Sequence, residues 1–213
     1  MKARTFELAA PGLALAVIYA LATTVGPFSD TTVNDLFVYR TYADLLAAGQ
    51  LPYLDFGFEY PPLGALPLWL AGLPGRDETT YAVSFALLIG AFVLALQWLA
   101  AQLAGDRRTG LTVAWLLALT PVLIGASLRT HFDAIPVALA LAGLLVLARE
   151  RTSIGFALLA LGTMTKLFPA LLAAAAIVWL VARGEREDRR ERQRERDGED
   201  RRHGVGGAAV EAV

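Results

Sequence analysis

The chain is 213 residues long, 56% hydrophobic and free of cysteine, with 20 acidic and 19 basic residues. Those figures exclude a disulfide framework, a thiolate nucleophile and a cysteine-based metal site. A positive mean hydropathy exceeds that of an ordinary soluble domain, and 17 of the 39 charged residues crowd into 183–202. An all-α integral membrane body of about six spans with a solvated tail is therefore expected.

The first apolar run, 8–28, follows Lys2 and Arg4 and so resembles a signal peptide. It is longer than a signal core and lacks a small-x-small cleavage site before a soluble domain, so it reads as a retained span. A polar, aromatic and acidic loop follows over 29–79. Within it Asp35, Tyr39, Tyr42 and Leu46 recur at helical spacing and share one face of a short amphipathic helix. Asn34 can cap that helix, and Asp35 in its first turn suits the helix dipole. The functional reading of Asp35 is a general base, a carboxylate fixed at a helix start beside an aromatic wall.

Glu59-Tyr60-Pro61-Pro62 forms a stiff corner, since proline is well tolerated in a first helical turn. It holds Glu59 and Tyr60 at a defined depth; the plainer reading is a helix start with a solvent-facing acid. The apolar piece 61–74 is too short to cross a bilayer and reads as a juxtamembrane helix. Spans are expected at 80–104, 109–127 and 133–148.

Between the last two, the turn SLRTHFDAIP alternates Arg129, His131 and Asp133. His131 beside Asp133 is more often a local hydrogen-bonded pair than a metal ligand, and two histidines in the chain exclude a histidine-rich metal site. A carboxylate-only site for a hard divalent cation, from Asp35, Glu59 or Asp133, stays open. The region 153–182 fits two spans that turn near Lys166, where Thr163, Thr165 and Pro169 interrupt it. Lys166 reads either as a snorkelling lysine or as a phosphate-binding cation, and an intramembrane ionisable group favours the second.

Lys2/Arg4, Arg107/Arg108, Arg149/Arg151 and Arg183/Arg186 all fall on one side of such a bundle. The positive-inside rule then puts both termini in the cytoplasm of a multi-pass cell-membrane protein. The long loop, the 127–132 turn and the Lys166 turn share the outer face. The tail, 183–213, interleaves acids with bases and has no apolar stripe; it should be solvated and largely disordered. Without an uninterrupted basic face, nucleic acid is excluded as a partner.

An aspartate soon after the first span, a Tyr-x-x-Tyr helix and a Tyr-Pro-Pro-Leu corner together resemble the polytopic GT-C glycosyltransferases. The nearest likeness is to the DUF2029 group, glycosyltransferase family 87, which includes polyprenyl-phosphate-mannose-dependent mannosyltransferases. HFDAIPVALALAGLLVLARER and GFALLALGTMTKLFPALLAAA also resemble that group, so the likeness covers roughly 8–182. It implies inverting transfer of mannose, or another hexose or pentose, from a polyprenyl-phosphate carrier to an extracytoplasmic glycolipid or glycan acceptor. Asp35 occupies the place of the family's base, and Lys166 or Arg129 would supply positive charge to the leaving phosphate. Tyr39, Tyr42 and Tyr60 would hold sugars, with Glu59, His131 and Asp133 as further donor contacts; no cofactor is required. Family members usually continue through further spans, so a shortened chain with a downstream complementary half is expected. The competing reading is a non-catalytic membrane fragment, a lipid-phosphate binder or an assembly partner of a split transferase.

Overall fold

The computed structural model describes residues 5–26, 29, 30, 32 and 34–184. The tail beyond Gly184, and Lys2 and Arg4, lie outside the described residues. Among the described residues every regular element is helical, apart from a single bridge between Pro52 and Phe56. The chain divides into two units, Met1–Leu172 and Ala173–Val213.

In the first unit, a 3-10 turn (Thr5–Leu8) leads into α1 (Ala9–Ala22). The helix stops short of the expected residue 28. The Thr23 and Thr24 hydroxyls donate back to the carbonyls of Tyr19 and Ala20, and Gly26 then takes a positive φ of 84°. Next come α2 (Leu36–Ala47), a 3-10 turn (Pro62–Gly64) and α3 (Ala65–Ala71). The Tyr-Pro-Pro corner therefore starts a ten-residue helical piece, shorter than the fourteen expected.

The longest helix, α4 (Glu78–Leu103), matches the expected second span within two residues. Its start is set by Asp77, whose carboxylate accepts from the Thr80 amide at 3.0 Å. Those backbone and side-chain bonds to Thr80 hold the Asp77 carboxyl below the usual carboxylate range. Among the described residues α4 alone is long and apolar enough to cross a membrane, and 28% of its apolar stretch is buried. The other apolar helices run 10–17 residues, so length by itself does not give six spans.

The expected third span is two helices, α5 (Arg107–Ala118) and α6 (Thr120–Ile124). Pro121 lacks an amide hydrogen and its ring clashes with the preceding turn, which breaks the helix there. Asp106 caps α5 through the Thr109 hydroxyl (2.7 Å) and amide (3.1 Å), and both bonds keep its carboxyl low. A one-turn helix, α7 (Ser127–Thr130), replaces the expected simple turn before α8 (Ala134–Leu147) and α9 (Thr152–Thr165). The chain extends at Lys166 (φ −156°, ψ 141°) and a further apolar helix, α10 (Pro169–Gly184), begins three residues later. In the second unit, Arg183 lies over the Trp179 ring at 5.6 Å.

The core of the first unit joins the loop to the helices. Tyr39, Tyr42 and Phe58 bury with Leu68, Tyr81, Phe85, Ile89 and Phe132. On the far side, buried Gln97 of α4 donates to the carbonyls of Pro11 (3.0 Å) and Ala114 (2.8 Å), tying α1, α4 and α5 together. Arg76 pairs with Asp44 at 2.9 Å, bracing α2 against the start of α4.

α8 and α9 pack tightly, and glycine makes the approach. A Cβ on Gly155 would fall 2.5 Å from Leu147 Cγ and 3.0 Å from the Gly143 carbonyl oxygen. Gly155→Ala should therefore destabilise the hairpin by about 1–3 kcal/mol. A thermal unfolding midpoint in detergent equal to that of the parent would contradict this.

Candidate functional site

The site is built where α2 starts, where α7 hands over to α8, and where α9 ends. Asn34 Oδ1 accepts from the Leu36 amide at 3.0 Å, which turns the chain into α2. Asp35 occupies the N-cap position yet makes no capping bond with its side chain. Asp35 thus stands at the helix start, as expected, with Asn34 making the capping bond and its own carboxylate turned elsewhere. It accepts from the Tyr39 hydroxyl at 3.0 Å and faces His131 Nε2 at 3.4 Å, with the side chain 43% exposed.

His131 is oriented from behind. Its Nδ1 lies 3.1 Å from both the Ser127 carbonyl oxygen and the Thr130 hydroxyl. This corrects the local pairing of His131 with Asp133. His131 follows α7 in extended conformation (φ −127°, ψ 146°), whereas Asp133 already has helical backbone (φ −59°, ψ −27°) at the start of α8, and this change of conformation between them parts the two side chains. Asp133 instead forms an ion pair with Lys166.

Phe132, between them, is fully buried and was not expected as part of the site. Its ring packs edge-on against Tyr60 (4.8 Å) and Tyr39 (5.5 Å), and Lys166 Nζ sits 5.4 Å from its centroid. Three consecutive residues thus reach three partners: His131 to Asp35, Phe132 to the tyrosines, Asp133 to Lys166. Lys166 is not a lone cation, since it has both a carboxylate and a ring face.

Tyr39 is nearly fully buried, and burial, reinforced by Tyr60 and Asp35, pushes its phenol far above the ordinary value. It stays a neutral donor to Asp35. Tyr60 lies 3.5 Å from the Tyr39 hydroxyl, and the Tyr53 hydroxyl donates to the Tyr60 carbonyl. Tyr53 itself has a positive φ of 68°. Gly64, just past the two prolines, packs so closely that a Cβ would lie 2.8 Å from Tyr60 Cβ and 3.1 Å from the Thr165 carbonyl. The corner is therefore seated directly beside Lys166.

Tyr42 points to a second aromatic group, Phe56 (5.7 Å) and Phe58 (5.0 Å), and not to Asp35. Burial first, then the nearby Glu59, raises its phenol. Glu59 is exposed, and no hydrogen bond or ion pair joins it to Asp35, His131 or Lys166. Among the described residues no three of His, Asp or Glu gather as a group that could hold a metal ion. Arg129 faces the other way, into a groove between α1 and α4.

The arrangement offers a half-exposed carboxylate held by a phenol and an imidazole, one aromatic wall, and a lysine within the same cluster. It can accept a proton beside a ring-shaped ligand while positive charge stands nearby. In comparison with protein families, the model described as glycosyltransferase family 87 matches residues 58–191. The matched stretch holds the Tyr60 corner, His131, Phe132, Asp133 and Lys166, while Asp35 and Tyr39 precede it. No curated protein and no solved structure matches the chain.

Proposed function

This chain belongs to glycosyltransferase family 87, and on that premise we propose that it transfers a sugar from a polyprenyl-phosphate carrier to an acceptor hydroxyl, with Asp35 as base. The observation that carries this reading is the Asp35 carboxylate itself, unspent in capping and fixed by Tyr39 and His131. The acceptor oxygen attacks the anomeric carbon as its proton passes to Asp35. The bond from that carbon to the carrier's phosphate oxygen breaks, and the phosphate leaves as an anion without needing a proton donor. Attack opposite the leaving group inverts the anomeric configuration. Mannose is the sugar we favour, and a glycolipid or glycan is the acceptor.

The bilayer setting is supported by surface chemistry more than by helix length. Leu13, Val17 and Leu21 of α1, Leu87 of α4 and Leu116 of α5 are exposed apolar side chains on helices that carry little charge. Continuous apolar surface of this kind is rare on water-facing proteins. We place six crossings at α1, α4, α5–α6, α8, α9 and α10, with both termini cytoplasmic and the Asp35 cluster outside. Helices of 14 residues reach about 21 Å, short of the ~30 Å hydrocarbon core, so their polar flanks must draw the interface inward.

The test is transfer from a radiolabelled mannosyl-phosphoryl-polyprenol in membranes containing the chain, with and without any further hydrophobic segment encoded downstream. Label appearing in an acceptor with inverted configuration is the expected result. Failure of label to move from this donor under both conditions would leave the non-catalytic, lipid-phosphate-binding reading in its place.

A further inference from the structure

His131 makes contacts that fix where the hydrogen of its neutral ring lies. On one side, Nδ1 is 3.1 Å from the Ser127 carbonyl oxygen. A carbonyl oxygen only accepts, and the rigid peptide plane that carries it cannot turn away. The Thr130 hydroxyl, also 3.1 Å from Nδ1, can turn. It reaches the Ala126 carbonyl at 3.3 Å, and its own oxygen then accepts from Nδ1 as well. Nδ1 therefore carries the hydrogen, and Nε2 presents a bare lone pair.

That lone pair faces Asp35 Oδ2 at 3.4 Å. Two acceptors set against each other make no hydrogen bond, and the separation exceeds the ~2.7–2.9 Å of a charge-assisted one. The carboxylate keeps its place nonetheless, because the Tyr39 hydroxyl donates to the same oxygen at 3.0 Å. The other ionisable groups around the pair are otherwise engaged. Tyr60 lies beside the Tyr39 hydroxyl, Lys166 pairs with Asp133, and Arg129 of α7 lines the α1–α4 groove. His131 is thus the one base set directly against Asp35, with the nitrogen that can accept turned towards it.

We propose that His131 takes over the proton that Asp35 gains in each transfer and releases it to water. The inference rests on Asp35 as base. The acceptor O–H bond breaks and its proton lands on Asp35 Oδ1, the oxygen away from His131. A half-turn of the carboxyl about its Cβ–Cγ bond brings that proton to Nε2, leaving a carboxylate beside an imidazolium. Water then removes it from the ring, whose side chain is 27% exposed. One proton has passed from acceptor to solvent, and Asp35 is again a base. The opposite tautomer could not do this, since a hydrogen on Nε2 would occupy the accepting lone pair. His131 acts through Asp35 and not on the sugar.

The chain has two histidines, His131 and His203, so His203→Gln leaves a single ring to observe. Nitrogen-15 NMR of that histidine-labelled full chain in detergent needs no turnover. At high pH, Nδ1 should bear the hydrogen and Nε2 none. Acidification should protonate Nε2, and Asp35→Asn should move that event to lower pH. Thr130→Val should leave the tautomer unchanged, because the Ser127 carbonyl remains. In the transfer assay, His131→Gln should lower kcat about tenfold or more with KM unchanged. It should also flatten the rise of kcat over about pH 5–8, the range in which an imidazole changes charge. The proposal is overturned if the hydrogen sits on Nε2 at high pH, if Asp35→Asn leaves the protonation of His131 where it was, or if His131→Gln keeps the parental pH profile. The expected NMR behaviour without any sugar transfer would uphold proton exchange within the pair and sink the transferase reading alone.

Discussion

Asp35→Asn should reduce sugar transfer by roughly 10²–10⁴-fold, the usual contribution of a positioned general base, with no loss of fold or membrane insertion. Asparagine keeps the volume and an oxygen that can accept from Tyr39, so the 3.0 Å bond to that hydroxyl survives. What is lost is the ability to take a proton and the negative charge opposite His131. Because the side chain makes no capping bond, the substitution removes no cap from α2. The measurement is initial rate in the transfer assay beside a thermal melt of the same preparation. A variant that melts like the parent and transfers sugar at the parental rate would remove Asp35 from the chemistry.

Phe132→Ala is the second large effect, and it acts through assembly. The ring is fully buried and packs against Tyr39, Tyr60 and Lys166 at once. Truncation leaves a cavity and should cost about 3–5 kcal/mol, with most of that loss coming from contacts that lipid cannot replace. Phe132→Leu separates packing from ring chemistry. It should recover most of the stability, since volume-conserving swaps cost less than about 1.5 kcal/mol, but not the edge-on contacts with the two tyrosines. An alanine variant with the parental melting midpoint would show that the ring does not hold the cluster together.

Much of the helical plan was legible from the sequence because apolar runs bounded by charge or proline mark helices directly. Expectation and structure agree within two residues at α4, and α8 and the break at Lys166 also match. The errors are local. The residue 109–127 run is interrupted at Pro121 because apolarity conceals a break that a missing amide enforces. The piece after Pro61 and α1 both end early, α1 through hydroxyls that bond back to its last carbonyls.

At the site, residue types were readable and pairings were not. Asp35, Tyr39, Tyr60, His131, Asp133 and Lys166 do gather, but spacing gave no sign that His131 would choose Asp35 and Asp133 would choose Lys166. Those partners are set by the extended backbone at His131 and by the tertiary approach of α9. Phe132 was passed over because an apolar residue between two polar ones looks like filler until its neighbours are seen in space. Tyr42 and Glu59 shared the loop's polar character, yet Tyr42 packs on Phe56 and Phe58 and Glu59 is exposed.

The three-way tie made by His131, Phe132 and Asp133 has a consequence for biogenesis. Asp35 emerges from the ribosome early, whereas Lys166 is made 131 residues later, on the order of ten seconds at ordinary translation speeds. For that interval the growing polypeptide carries an aromatic loop that can pack on α3 and α4 while the Asp133–Lys166 tie is still missing. A folding factor that shields nascent segments would have its window of action there, before the last of the three strangers arrives.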